Sequence, residues 1–265
     1  MTGLRARART TIHTHRLLGP LRFAARSYRY VALRGLRSGL ACVVAEIAGR
    51  GGEVYVDDRT IGGFWLRLRT SDISVAAKVL LEKEYDLPLR EQPAMIIDAG
   101  AYTGISARWF AARYPGARVI ALEPDPANFD VLQRNVREIP HIHPTREALW
   151  SADEPVYLRS NGLAAWASQV GRVGADSERV SGVTVATLMG RLGIERVDLL
   201  KLDIEGSERD LFESGTETWL PRVDAIAVEV HEDLRHGARA AILSACSDFR
   251  VTEVGHETLL LERQP

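Results

Sequence analysis

Apolar positions change their period along the chain, and the changes divide it into three parts. Between Leu17 and Leu36 they recur at helical spacing, at Leu21, Ala24 or Ala25, Tyr28, Val31 or Ala32, and Leu36. Arg22, Arg26 and Arg29 fall at i, i+4 and i+7 on another face, and Gly19-Pro20 marks the expected helix start. Two strand-like runs follow, Glu53–Val56 and Phe64–Thr70, and predict a hairpin with a loop longer than two residues. Ile73–Glu84 reads as a helix that Thr70, Ser71 or Asp72 could cap.

From Ala94 onward short apolar runs alternate with helical ones. Strands are predicted at Met95–Asp98, Arg118–Leu122, His143–Ala148, Val197–Asp203 and Ala225–His231. Helices are predicted at Ile105–Tyr114, Pro126–Glu138, from Ser207, and at Ala238–Ser247. Strands separated by helices imply parallel β-α-β units in a doubly wound α/β sheet. Arg250–Val254 and Thr258–Leu261 flank the tight turn Gly255-His256, so the last two strands must be antiparallel. Arg159–Arg179, which contains Asn161-Gly162 and Trp166, shows no period and reads as a binding loop or lid. Trp166 could stack on a ligand ring or anchor the surface. The expected parts are a basic helical extension over residues 1–50, a hairpin and helix over 51–93, and the ligand-binding domain over 94–265.

Charge alters this picture at one end only. Residues 1–37 hold nine arginines and no acidic residue, which leaves 25 basic against 35 acidic residues in the remaining 228. A basic arm on an acidic body meets an anionic surface or packs on its own domain. Peripheral contact with an anionic membrane is therefore one expectation, and packing on the body is the other. No run of about 18 apolar residues suggests a membrane span, and Leu40–Ala48 is too short and too late for a signal peptide. The two cysteines, Cys42 and Cys246, suit a reducing compartment, so a cytoplasmic protein is expected, with peripheral contact at the inner membrane face as one of the two readings of the arm.

The candidate chemistry begins where the first core strand meets its helix. Asp98-Ala99-Gly100-Ala101-Tyr102-Thr103-Gly104 has the form Asp-x-Gly-x-x-x-Gly. Gly100 permits a sharp turn and close ligand approach, and Asp98 can accept hydrogen bonds from an amine or hydroxyl. A phosphate is a poor guest beside that carboxylate. Glu123, 25 positions on, ends the second strand, where a carboxylate can take both hydroxyls of a ribose.

These segments, with Ala121-Leu122-Glu123-Pro124-Asp125, Leu200-Lys201-Leu202-Asp203-Ile204-Glu205-Gly206-Ser207-Glu208 and Ala227-Val228-Glu229-Val230-His231, resemble the FkbM family of S-adenosylmethionine-dependent methyltransferases. The resemblance runs from about Phe64 to Leu261, with Lys-x-Asp-x-Glu-Gly its most specific part. It implies a class I, Rossmann-like methyltransferase fold with a seven-stranded, mostly parallel sheet, and methyl transfer to oxygen. By this likeness Asp98 and Gly100 line the methionine end, Glu123 binds the ribose and Ala148 lies by the adenine. Ala101, Tyr102, Thr103, Asp125 and Asp203 complete the expected cofactor set.

Side-chain alternation places Lys201 and Asp203 on one face of their strand, and Glu229 and His231 on one face of the next. Lys201 and Glu229 are expected to pair within the sheet. Asp203 and His231, at the strand ends, are the candidate catalytic groups that remove a hydroxyl proton. Glu205 could cap a helix or join the site. Asp203, Glu205, Glu229 and His231 are acceptable metal ligands, but no compact spacing marks a metal site, and a divalent metal is not favoured. The expected acceptor is a hydroxyl of a sugar, glycolipid or other natural product. The alternative is RNA or another nucleic acid held by the arm, although the base N-methylation motif is missing. A non-catalytic scaffold is the third reading, and the intact Asp98, Gly100, Glu123 and Asp203 argue against it.

Overall fold

The computed structural model describes residues 24–160, 168–171, 178–254 and 258–264. Most of the basic arm, the Gly19-Pro20 start, Trp166 and the Gly255-His256 turn lie outside the described residues.

Helix α1 covers residues 24–34 and α2 covers Leu36–Ile47, separated by Gly35 at φ 74°. The expected helix therefore ends at this left-handed glycine, and a second one follows. The two pack closely: a Cβ on Gly39 would lie 2.5 Å from the Val31 Cα. The expected apolar stripe is displaced as well. Tyr28 is exposed, whereas Tyr30 is buried and donates to Glu46 Oε1 at 2.7 Å. Arg26 and Arg29 turn to the body rather than to water: Arg26 meets Thr70 O and Glu46, and Arg29 meets Ser74 Oγ at 3.1 Å and Glu82.

Strands β1 (Glu53–Asp58) and β2 (Gly62–Arg67) form the expected hairpin, with Asp58 Oδ1 accepting from Thr60 N in the turn. Helix α3 (Asp72–Leu80) follows, with Ser71 at its N-cap position. The alternating region gives β3 (Met95–Ala99), α4 (Ile105–Arg113), β4 (Arg118–Leu122), α5 (Pro126–Val136) and β5 (Ile142–Thr145).

The expected third strand is divided. Its start is β5, while β6 (Ala148–Leu149) pairs elsewhere, in a four-stranded sheet with β7 (Pro155–Ser160), β8 (Ser168–Gly171) and β9 (Glu178–Val183), in the order β6-β9-β7-β8. Its described parts correct the reading of Arg159–Arg179 as irregular. Strands of four to six residues leave too short a pattern for a period to register. Helix α6 (Val185–Leu192), also unexpected, is capped by Thr184 and closed by left-handed Gly193.

The chain then forms β10 (Val197–Leu202), α7 (Glu208–Glu213), β11 (Val223–Glu229), α8 (Ala238–Ala245), β12 (Phe249–Val254) and β13 (Thr258–Arg263). The seven-stranded sheet has the order β12-β13-β11-β10-β3-β4-β5. It is parallel except for β13, which runs antiparallel to both neighbours. Its central strands are near-continuous apolar runs because both faces are covered. Ile96, Val119 and Leu199 enter one core, and Ile97, Ile120 and Leu200 the other. Such a sheet leaves polar chemistry to the carboxyl ends of its strands.

Candidate active site

A cavity of about 600 Å³ opens at these carboxyl ends. Gly100, Ala101, Tyr102, Glu123, Ala148 and Asp203, six of the residues expected at the site, line it. Asp98, Thr103, Asp125 and His231 are not among its lining residues.

The loop after β3 is held from several sides. Gly100 and Ala101 donate their amides to Leu122 O at 3.0 and 2.9 Å. Gly100 has φ 76°, and an added Cβ would stand 1.8 Å from Asp203 O. The position therefore admits only glycine on two counts. Tyr102 is also left-handed, at φ 51°, an uncommon state for a side-chain-bearing residue. Its hydroxyl donates to Asp72 Oδ1 at 2.6 Å, and Asp72, fully buried, also accepts from Arg67 N, Nε and Nη2. Arg67 continues to Asn128 Oδ1 at 2.8 Å, which joins the hairpin to α5. Asp72 thus anchors the loop through Tyr102 instead of capping α3 with its side chain.

Asp98 lies behind the loop. It is fully buried, accepts from Ser106 Oγ at 2.6 Å and pairs with Lys201 Nζ at 3.0 Å. The expected Lys201–Glu229 pair is not formed. Lys201 stands beside Asp98 on one side and Ala227 on the other, and it also donates to Ala99 O and Gly100 O. Glu229 lies two residues further on and pairs with Lys78 of α3 at 3.1 Å. Burial opposes ionisation of Glu229, but Lys78 and His231 outweigh it and hold the carboxyl below its usual range. Sequence spacing could not provide this partner, because Lys78 comes from a helix 151 residues away.

Glu123 projects into the cavity. Its oxygens accept from Tyr102 N at 3.0 Å, Asp125 N at 3.0 Å and Asn128 Nδ2 at 3.2 Å, yet burial pushes its pKa up to about 7. Asp125 caps α5 by accepting from Asn128 N, and Thr103 gives its carbonyl to Asn135 Nδ2 at 2.8 Å; both serve the scaffold. Ala148 reaches the cavity from the small sheet.

At the other end stand the groups expected to act on the acceptor. His231 Nδ1 is 2.9 Å from Oε1 of the fully buried Glu208. Its Nε2 faces Asp203 Oδ1 at 3.7 Å and Glu205 Oε2 at 3.8 Å. Burial disfavours the charged ring, but Glu208, Asp203 and Glu205 outweigh that and raise its pKa to about 9. Burial and the nearby Asp203 push Glu205 to about 8. Sequence reasoning assigned no role to Arg67, Lys78, Glu84 or Tyr85. The last three line the cavity, and all four precede the Asp98 motif in sequence.

The chain is similar to several known proteins. The chain is 28% identical over 195 residues to the AMB antimetabolite synthetase AmbE of Pseudomonas aeruginosa, a match that covers 59% of this chain and 9% of that protein. It is 24% identical over 203 residues to Methyltransferase 1 of Beauveria bassiana, covering 66% of this chain and 79% of that one. A solved FkbM methyltransferase from Methylobacillus flagellatus aligns with 71% of this chain and 47% of its own, at 16% identity and a TM-score of 0.48. The Methyltransferase FkbM domain matches residues 98–251, more than half of the chain, and the protein belongs to the FkbM methyltransferase family.

Proposed function

We propose that the protein transfers a methyl group from S-adenosylmethionine to a hydroxyl of a sugar, glycolipid or other natural product. The observation that carries this reading is one cavity with two unlike ends. Glu123 and the glycine loop form a nucleoside-type cradle at one end, and Asp203 and Glu205 form a carboxylate-rich wall at the other. The residues fit the cofactor: Gly100 lets the loop close directly on the Asp203 backbone, where a Cβ would clash, and the Glu123 carboxylate stands where ribose hydroxyls can donate to it. About 600 Å³ is within the range of small-molecule sites.

When bound, the cofactor supplies an electrophilic methyl group on a sulfonium. The chain must then orient the acceptor and handle its proton. Glu123 takes the ribose, the Gly100–Tyr102 backbone the methionine part and Ala148 the adenine. Asp98 acts as a positioning residue, holding Lys201 against the loop carbonyls. Asp203 and His231 serve the acceptor hydroxyl. A carboxylate wall at that end repels a phosphate backbone, which disfavours a nucleic-acid acceptor. The basic arm suits an acceptor carried at an anionic membrane surface.

Calorimetry with S-adenosylmethionine tests the cradle. Glu123→Ala removes charge-assisted hydrogen bonds worth about 1.5–3 kcal/mol, so affinity should fall by about 10- to 150-fold in a folded protein. Unchanged affinity would sink the assignment. A labelled methyl donor incubated with lysate fractions should then yield a methyl ether that resists mild base. Label appearing only in nucleic acid or as a base-labile ester would contradict the acceptor class.

A further inference from the structure

In the β1–β2 hairpin Val56, Phe64 and Leu66 are buried in the core. Alternation places Tyr55 and Trp65 on the other face. These two are cross-strand partners with ring centroids 5.3 Å apart, and they remain 49% and 36% exposed. With residues of α4 and α5 they wall a cavity of about 610 Å³. It shares no lining residue with the cavity at the strand ends. Trp65 is held firmly there: its backbone N and O meet the Asn135 amide at 2.8 and 3.1 Å, and the Arg134 guanidinium lies 5.3 Å from its ring centroid.

Arg108 of α4 also lines this cavity and is only 7% exposed. Three of its five N–H groups are used, all by neutral carbonyls: Nε and Nη2 donate to Ile61 O at 3.1 and 2.6 Å, and Nη1 donates to Asn135 O. One N–H on each Nη is left over. Arg134 and Arg137, which line the same cavity, have their own carboxylates in Glu53 and Glu138. Arg108 has none within ion-pair distance among the described residues, and burial pulls its pKa down with no acidic group to offset it. A buried charge without a counter-charge is costly. Gly62 and Gly63 keep the space around it open. An added Cβ would stand 2.9 Å from Arg108 Nη2 at the first and 1.6 Å from Tyr55 Oη at the second, so either side chain would displace a wall of the cavity.

We propose that this cavity binds a small ring-bearing acid, with its carboxylate or phosphate on Arg108 and its ring against Tyr55 and Trp65. Spare N–H groups on two nitrogens of one guanidinium suit two oxygens of such an anion. The bound anion supplies the counter-charge that Arg108 lacks. The volume suits a ring with small substituents, and a bare inorganic anion would leave the aromatic wall unused. The site stands apart from the methyl-transfer reading and does not depend on it.

The test is calorimetry on the full chain with phenyl phosphate, benzoate, benzyl alcohol and inorganic phosphate, with and without S-adenosylhomocysteine. At least one of the two ring-bearing acids should bind saturably at a single site, and the tighter of them identifies the anion. Benzyl alcohol lacks the charge and should bind at least about 10-fold more weakly. Inorganic phosphate lacks the ring and should bind about 2- to 10-fold more weakly than phenyl phosphate. Arg108→Met should weaken the acid by at least about 10-fold. Trp65→Ala keeps the backbone bonds to Asn135 and should weaken it by about 2- to 10-fold. Arg108 also ties Ile61 to Asn135, so if thermal melting shows that Arg108→Met does not fold, Trp65→Ala and the wild-type titrations decide. No saturable binding of either acid, benzyl alcohol binding as tightly as the acids, or equal affinity in wild type and Trp65→Ala would overturn the site. Inorganic phosphate binding as tightly as phenyl phosphate would reduce it to an adventitious ion only. Displacement of the acid by S-adenosylhomocysteine would put it in the strand-end cavity and likewise reject the second site.

Discussion

Lys201→Met tests whether the site is held by a buried ion pair or merely lined by one of its members. Lys201 is 1% exposed, lies 3.0 Å from Asp98 Oδ1 and donates to Gly100 O at 2.7 Å and Ala99 O at 3.2 Å. Burial disfavours its charge, but Asp98 and Asp203 outweigh that and raise its pKa. Methionine fills much of the same space and removes the charge. Asp98 would then be fully buried without its counter-ion, with Ser106 Oγ as its remaining hydrogen-bond donor.

Removing one partner of such a pair costs about 3–5 kcal/mol, because the other charge is left uncompensated. At about 2 °C per kcal/mol for a chain of this size, the melting temperature should fall by about 6–10 °C. Asp98→Asn should cost a similar amount. The double variant removes both charges and should recover about 2–3 kcal/mol relative to the sum of the singles. Urea denaturation read by tryptophan fluorescence gives all three values. A loss below about 1 kcal/mol for Lys201→Met, or simple additivity in the double variant, would refute the ion-pair argument. A Lys201→Met protein of full stability that binds cofactor but does not turn over would instead make Lys201 a catalytic group.

Two more outcomes follow from the same structure. Burial raises the folded pKa of Glu123 to about 7 from an ordinary 4.5, so the folded state binds more protons than the unfolded state between those values. Unliganded stability should therefore fall as pH rises from about 4.5 to 7, by an amount on the order of 3 kcal/mol, and the fall should be shallower in Glu123→Gln; parallel urea curves at pH 5 and pH 8 would contradict this. The α1–α2 pair, which follows the arginine-rich segment in sequence, exposes Tyr28, Leu40, Val44 and Ile47, so the whole chain should sediment with anionic vesicles at low salt and a chain starting at Gly51 should not; if both stay in the supernatant, the membrane reading is wrong.

The alternation of short apolar runs with helical ones decided the architecture before any contact was known. Each of Met95–Ala99, Arg118–Leu122 and Val197–Leu202 must be buried on both faces, and only a helix-covered parallel sheet buries them so. Gly100 and Glu123 were legible for a local reason: the turn after β3 needs a left-handed residue, and strand ends are where such sheets bind ligands.

The partners of the buried charges were not legible. Alternation showed that Lys201 and Glu229 share a side of the sheet. Register then placed Asp98 beside Lys201, and a helix packed across the strand ends brought Lys78 to Glu229. The small sheet and the convergence of Asp203, Glu205 and His231 likewise depend on pairing and packing between neighbouring elements, which no local pattern records. Local pattern records which residues must be buried or must turn. The stabilisation of a buried charge depends on which atoms lie within a few ångströms of it, and only the tertiary structure decides that.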